Sequence, residues 1–373
     1  MPPIHMLIKP ASSLCNMRCK YCFYSDVSEH REIKSYGLMD IALLEKITEK
    51  ALSEAEGECS FSFQGGEPTL AGLDFYKKLS EFQKKYNKKK LKINNAIQTN
   101  GYCIDHEWAE FFAKNNYLVG LSVDGSKEMH DYMRVDAQGN GTYSRIMKTS
   151  AIFDKYNVQY NILCVVNNFV ARRPTKVYND LKKFKYLQFI PCLDGFDGEK
   201  RDFSLNTERY AEFLKVTFDC YYNDFVSGNY VSIRNFDNYV MMLCGRIPEA
   251  CGMLGFCSCY FVIEGDGSVF PCDFYVVDKY KLGNIAQSSF SELRASPNAL
   301  LFTEQSKYVS EECRGCKWIN ICRGGCRRNR EPFVDGKPGL NIYCNAYKQF
   351  FEYAYERMCH LASIARGGGN YGA

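Results

Sequence analysis

Cys15, Cys19 and Cys22 stand at the spacing C-x3-C-x2-C near the start of the chain. A four-iron cube takes four Cys thiolates when fully ligated and then serves electron transfer. Three thiols on one short loop leave one iron open to a non-protein ligand, and an open metal position is where chemistry happens. The loop follows a short apolar run at residues 6–8 and carries Phe23 and Tyr24 just past the last thiol. Two plainer arrangements are half of a zinc site, or one disulfide with a spare thiol. Zinc sites usually pair C-x2-4-C ligands with a second pair or with histidines further on, and only His30 lies near this loop.

A second constellation fills the last third: Cys251, Cys257, Cys259, Cys272, Cys313, Cys316, Cys322, Cys326, Cys344 and Cys359. A zinc ribbon would account for Cys313, Cys316 and two more sulfurs but leaves the others unexplained. The total is 19, an odd number that argues against complete disulfide pairing. No basic segment followed by an apolar run opens the chain, and no long uninterrupted apolar window occurs. A cytoplasmic location is expected, where clustered cysteines read as metal or redox ligands. Cys59, Cys103, Cys164, Cys192, Cys220, Cys244 and Cys359 read as buried small hydrophobes.

A formal charge of +4 on 373 residues implies neither a nucleic-acid nor a membrane partner. Lys84 to Lys90 fit the solvent side of a helix end. Arg323, Arg327, Arg328 and Arg330 are interleaved with cysteines and could offset the negative charge of thiolate-ligated clusters.

The elements that must hold these residues alternate. Strand-like runs at 5–9, 60–64, 92–98, 118–123, 159–166 and 186–190 are separated by amphipathic stretches at 41–56, 74–85, 105–114, 143–156 and 173–183. This is the rhythm of βα units around a parallel sheet, and it predicts an α/β fold, a partial (β/α)6 barrel. A helical connection (207–225) follows. The division expected is a barrel over 1–204, the connection over 205–250, a cysteine-rich extension over 251–350, and a C-terminal helix and flexible tail over 351–373, with residues 366–373 disordered.

In parallel α/β folds ligands bind at the carboxyl ends of strands. After the second strand comes Gln64-Gly65-Gly66-Glu67-Pro68, whose paired glycines let the backbone approach a ligand closely, although an ordinary strand-to-helix turn would read the same way. Thr99-Asn100-Gly101 follows the third strand, and Ser122, Asp124 and Gly125 lie at the end of the fourth.

Taken together, these stretches resemble the radical S-adenosylmethionine (SAM) enzymes with a C-terminal SPASM extension, and within them the anaerobic sulfatase-maturating enzymes. The likeness runs over nearly the full chain. It is carried by the C-x3-C-x2-C loop, Leu7-Ile8-Lys9-Pro10-Ala11-Ser12-Ser13, Cys22-Phe23-Tyr24, Phe63-Gln64-Gly65-Gly66-Glu67-Pro68-Thr69-Leu70-Ala71-Gly72, Gln98-Thr99-Asn100-Gly101 and Pro271-Cys272-Asp273-Phe274-Tyr275.

The resemblance implies three 4Fe-4S clusters. Cys15, Cys19 and Cys22 would hold the SAM-binding one, Cys251, Cys257, Cys272 and Cys326 a first auxiliary cluster, and Cys313, Cys316, Cys322 and Cys344 a second. Cys259 could substitute in the first auxiliary set. The resemblance further implies SAM contacts from Tyr21, Gly65, Gly66, Glu67, Ser122 and Arg134, with Glu67 and the glycine backbone holding the amino group. Tyr24 and Gln64 would line the peptide site, and Asp273 would act as base.

The implied reaction is oxygen-independent oxidation of a Cys or Ser side chain in an unfolded sulfatase to Cα-formylglycine. A SAM-derived radical would take hydrogen from the substrate Cβ, and a second electron and a proton would then leave. Flavodoxin or ferredoxin is the expected electron partner, and a monomer is expected. Three other readings remain: a SPASM maturase that cross-links a ribosomal peptide, a non-enzymatic iron-sulfur electron carrier, and an RNA-modifying relative. Many cross-linking maturases carry an N-terminal peptide-recognition domain, for which a first strand at residue 5 leaves no room.

Overall fold

The computed structural model describes residues 2–367, and the Gly-rich end read above as disordered lies outside them from residue 368 onward. Arg366 is helical instead, the last residue of the helix Cys344–Arg366. That helix starts at Cys344, before the residue 351 expected, because the apolar positions Ala346, Phe350, Phe351, Ala354, Met358, Leu361 and Ala362 form one continuous buried stripe.

Six strands, β1 (Ile4–Ile8), β2 (Glu58–Phe63), β3 (Lys92–Thr99), β4 (Leu118–Ser122), β5 (Gln159–Val166) and β6 (Tyr186–Pro191), pair in chain order and all in parallel. Helices Ile41–Glu54, Leu73–Tyr86, His106–Lys114, Tyr143–Tyr156 and Pro174–Leu181 make the crossovers, as a parallel ladder requires. Their starts are set locally: Asp40 accepts from the Ala42 N–H and Asp105 from the Trp108 N–H. The result is the partial (β/α)6 barrel read from the sequence.

Both edges of this barrel are extended. β7 (Ser232–Ile233) adds beside β6, while β8 (Val262–Ile263) pairs in parallel with β1 and leads into antiparallel β9 (Ser268–Phe270) and β10 (Gly283–Asn284). The cysteine-rich extension therefore continues the barrel sheet through β8 to β10. The connecting region forms the helices Thr207–Val226 and Arg234–Leu243, both packed on the C-terminal helix.

One large apolar core runs between sheet and helices. A smaller one gathers Leu7, Val27, Val262, Phe270 and Val276, with Phe23 and Phe196 against it. This second cluster fixes the turn at Asp273 beside the first cysteine loop. Among the described residues no helix is long and apolar enough to cross a membrane.

Candidate active site

The first cysteine loop leaves β1 and is tied down on two sides. Met17 forms an antiparallel bridge with Asp136, the Arg18 N–H donates to Val135 O at 2.8 Å, and the Lys20 N–H donates to Met133 O at 2.9 Å. On the other side the Glu67 N–H donates to Leu14 O at 2.8 Å. Cys15 Sγ accepts from the Met17 N–H at 3.4 Å and from Asn100 Nδ2 at 3.8 Å. Burial pushes the Cys15 thiol up to about 12, with Glu67, Cys19 and Cys22 adding to it. Burial likewise raises Cys19 to about 11, against the pull of Arg134.

Gly65 and Gly66 both have positive φ, and each is needed for close approach, but of the protein's own chain. A Cβ on Gly66 would sit 2.2 Å from Leu14 O, and one on Gly65 would sit 2.3 Å from Lys9 Cε. Glu67 also turns inward. Its Oε1 accepts from the Thr69 N–H (3.1 Å), Thr69 Oγ1 (2.7 Å) and Thr99 Oγ1 (2.7 Å), and its Oε2 from the Asn100 N–H (2.7 Å). These four donors make the Glu67 carboxylate a tie between the ends of β2 and β3.

Two of the other expected SAM contacts, Tyr21 and Arg134, lie beside Cys19. The Tyr21 hydroxyl donates to Asp124 Oδ2 and accepts from Arg134 Nη1 at 2.9 Å. Arg134 is buried, and its Nε has no partner. Ser122 Oγ accepts from Gln98 Nε2 at 3.0 Å, and the Gln98 side chain lies across Gly120, where a Cβ would meet its Oε1 at 2.1 Å. Gln98 was read only as part of a motif. Its place over a strand glycine depends on packing that spacing does not reveal.

Asp273, Tyr24 and Gln64, three residues far apart in sequence, meet at one oxygen. Asp273 Oδ2 accepts from the Tyr24 hydroxyl at 2.5 Å and from Gln64 Nε2 at 3.4 Å. Oδ1 is buried with no partner. Phe23 packs edge-on to Phe274 at 4.9 Å, which joins the cysteine loop to this turn. Burial raises the Asp273 carboxyl to about 6, against the opposing pull of Lys9 and the Tyr24 hydrogen bond.

Lys9 belongs to an ion cluster that sequence reasoning missed. Its Nζ donates to Glu264 Oε1 at 2.6 Å, where Arg31 Nη1 also donates at 2.6 Å, and all three side chains are buried. Lys9 Nζ also lies 5.1 Å from the Tyr24 ring centroid. Nothing local in the sequence pairs Lys9 with a carboxylate carried by the extension.

The later cysteines separate into two sets. Burial, then the neighbouring thiols of Cys326, Cys257 and Cys251, hold the Cys272 thiol well above its ordinary value. Cys322 is raised to about 11 by burial, with Cys344, Cys313 and Cys316 as its thiol neighbours. Those four cysteines line a shared small cavity. Cys259 stands apart: its thiol faces the Phe261 backbone and Arg294 and packs on the large core.

A buried thiol gives up its proton only to something that stabilises the thiolate. Donor sets of three, four and four sulfurs suit iron-sulfur cubes in that respect. Among the described residues no group of three or more His, Cys, Asp or Glu side chains gathers tightly enough for a single metal ion.

Arg327 and Arg330 are buried and act on the Cys257 thiol, as expected of cations among the cysteines. Arg328 and Arg323 turn elsewhere, Arg328 to Asp194 O and the Phe196 ring and Arg323 to Asn320 O, because the short helix Arg327–Arg330 and the left-handed Arg323 aim them away from the thiols. Cys103, expected to be buried, is exposed: it lies in the turn after β3, and its Sγ accepts from Asn16 Nδ2 at 3.0 Å.

Comparison with known proteins matches residues 10–171 to the Radical SAM superfamily and residues 254–317 to SPASM, an iron-sulfur cluster-binding domain. The cysteine-type anaerobic sulfatase-maturating enzyme of Clostridium perfringens is 50% identical over 97% of this chain and 99% of its own length. The serine-type enzyme of Bacteroides thetaiotaomicron is 33% identical over 95% of this chain and 90% of its own. A solved structure of anSMEcpe with bound AdoMet and Cp18Cys peptide superposes with a TM-score of 0.94 at 49% identity, covering 98% of this chain and all of that one. With the parallel barrel, the cysteine loop at its mouth and the grouped cysteines of the extension, this identity over nearly the whole length places the chain in the family of anaerobic sulfatase-maturating enzymes, radical SAM proteins with a SPASM domain.

Proposed function

We propose that this chain oxidises a cysteine side chain of an unfolded sulfatase to Cα-formylglycine. The observation that carries the proposal is the Asp273 carboxylate, held through Oδ2 by Tyr24 and Gln64 while the buried Oδ1 has no partner in the protein. A buried acceptor without a partner is costly, and a substrate thiol would satisfy it. The higher identity to the cysteine-type relative supports cysteine over serine as the oxidised residue.

In this reading Cys15, Cys19 and Cys22 hold the SAM-binding cluster, Cys251, Cys257, Cys272 and Cys326 the first auxiliary cluster, and Cys313, Cys316, Cys322 and Cys344 the second. When bound, the first cluster and SAM supply a radical able to take a hydrogen atom from an unactivated carbon. The protein's part is position, dryness and proton removal. Tyr21, Ser122 and Arg134 would face the cofactor, Gly66 admits the cysteine loop at Leu14, and Gly65 admits the Lys9 side chain against the end of β2. Glu67 acts by fixing that loop. Asp273 takes the substrate thiol proton at its free oxygen while Tyr24 and Gln64 keep the carboxylate aimed, and Lys9 balances its charge. Asp273 adjoins Cys272, so a cluster held there would supply an electron acceptor beside the proton's acceptor. Flavodoxin or ferredoxin serves as electron partner. Residues 1–204, 205–250, 251–350 and 351–373 form the barrel, the connection, the auxiliary-cluster domain and the terminal segment.

The test is anaerobic incubation of the reconstituted protein with SAM, dithionite and peptides containing Cys-x-Pro-x-Arg or Ser-x-Pro-x-Arg. Mass spectrometry should find the aldehyde on the cysteine peptide in preference to the serine peptide. A cross-linked product, or SAM cleavage with both peptides unchanged, would overturn the proposal.

A further inference from the structure

The cavity shared by Cys313, Cys316, Cys322 and Cys344 adjoins a second concavity, an open groove of about 660 Å³ lined by Lys215, Lys317, Lys348, Glu352 and Tyr353 together with Cys316 and Trp318. Cys316, Trp318 and Lys348 line both. Cys316, with Trp318 and Lys348, thus stands between the inner cysteine cavity and the protein surface.

The groove's floor is firm. The Trp318 ring lies 5.2 Å from Tyr355 and 5.8 Å from Phe351, both on the helix Cys344–Arg366. Its rim is cationic. Three ammonium groups face a single lining carboxylate, Glu352, which is itself paired with Lys317. Lys215 reaches Glu212 of its own helix at 3.2 Å, and Lys348 is exposed.

We propose that this groove is the docking surface for an acidic one-electron carrier protein of the flavodoxin class. The proposal rests on the reading that the four thiols behind it hold a cluster. Electron transfer weakens steeply with distance, so a carrier profits from contact where a cluster ligand forms the wall. Weak redox encounters use small interfaces and depend on opposite charge for their rate and orientation. An acidic rim around a flavin edge complements three lysines over an aromatic floor. Single-stranded nucleic acid would need a stripe of cations tracking its backbone, whereas these lysines form a spot bordered by Glu212, Glu312 and Glu352.

The test uses reconstituted holoenzyme and a purified oxidised flavodoxin, with binding followed by calorimetry at low and moderate salt. The wild type should bind, and more weakly as salt rises. The double variant Lys215→Glu/Lys317→Glu should bind about tenfold or more weakly at low salt, with iron content and dithionite-driven aldehyde formation unchanged. No binding by the wild type, or equal affinity in the variant at normal iron content, overturns the docking surface. Iron measured on a variant with Cys313, Cys316, Cys322 and Cys344 all replaced by alanine separates the two claims: if this variant keeps the full wild-type iron, the cluster reading behind the groove has failed instead.

Discussion

The Tyr24 hydroxyl and the Asp273 carboxylate are 249 positions apart in sequence and share a hydrogen bond of 2.5 Å. One end comes from the residue pair following the last thiol of the first cysteine loop and the other from the residue following Cys272, so the contact links the two halves of the proposed chemistry. Removing it with Tyr24→Phe should leave SAM cleavage intact and slow aldehyde formation about tenfold to 100-fold, the worth of one charge-assisted hydrogen bond. Parallel assays of 5′-deoxyadenosine and aldehyde check this. An equal loss in both would place Tyr24 with the cofactor instead.

Replacing Cys15, Cys19 and Cys22 together by alanine should abolish SAM cleavage and remove about a third of the iron, the share of one cube in three. Iron analysis with electron paramagnetic resonance reads both. Retained SAM cleavage would refute the assignment of this loop.

Glu67→Gln should lower stability by about 1–3 kcal/mol, because the amide presents a donor to one of four donors that now meet a buried carboxylate. The thermal midpoint should fall together with SAM affinity. A variant that loses SAM binding at an unchanged midpoint would return Glu67 to direct contact with the cofactor.

Away from the clusters, Asp237 accepts from Tyr221 at 2.8 Å, Tyr230 at 3.0 Å and Ser232 at 2.5 Å, and burial raises its carboxyl to about 6. The unfolded value is about 3.9, so between about pH 4 and 6 the folded chain binds more protons than the unfolded one. Stability contributed at this position is complete below about pH 4 and is lost as pH rises through 6, by roughly 3 kcal/mol. Asp237→Asn should flatten that slope in apparent unfolding midpoints taken from pH 5 to 7. Parallel curves for variant and wild type would contradict it.

Much of this fold was legible because short strand-like runs alternate with longer amphipathic stretches: β5 begins and ends at Gln159 and Val166, as expected, and the other five barrel strands fall within two residues of expectation. The extension's strands were invisible. β8 and β10 are two residues long and β9 three, too short for any period, and β8 exists because β1 offers it an edge. The grouping of Cys251, Cys257, Cys272 and Cys326 came from family likeness and from no local pattern, since these cysteines are spread over residues 251–326. Glycine's need for space was clear at Gly65 and Gly66, but not what fills it, since Lys9 and Leu14 arrive through tertiary packing. The Lys9–Glu264–Arg31 cluster was hidden for the same reason.

The most direct test is to supply Asp273→Asn with SAM, dithionite and a cysteine peptide deuterated at Cβ. Deuterium should appear in 5′-deoxyadenosine as with the wild type, while aldehyde falls by about 100-fold or more, the range for losing a general base. Aldehyde formed at the wild-type rate would show that the proton leaves by another route and that the site centred on Asp273 is misassigned.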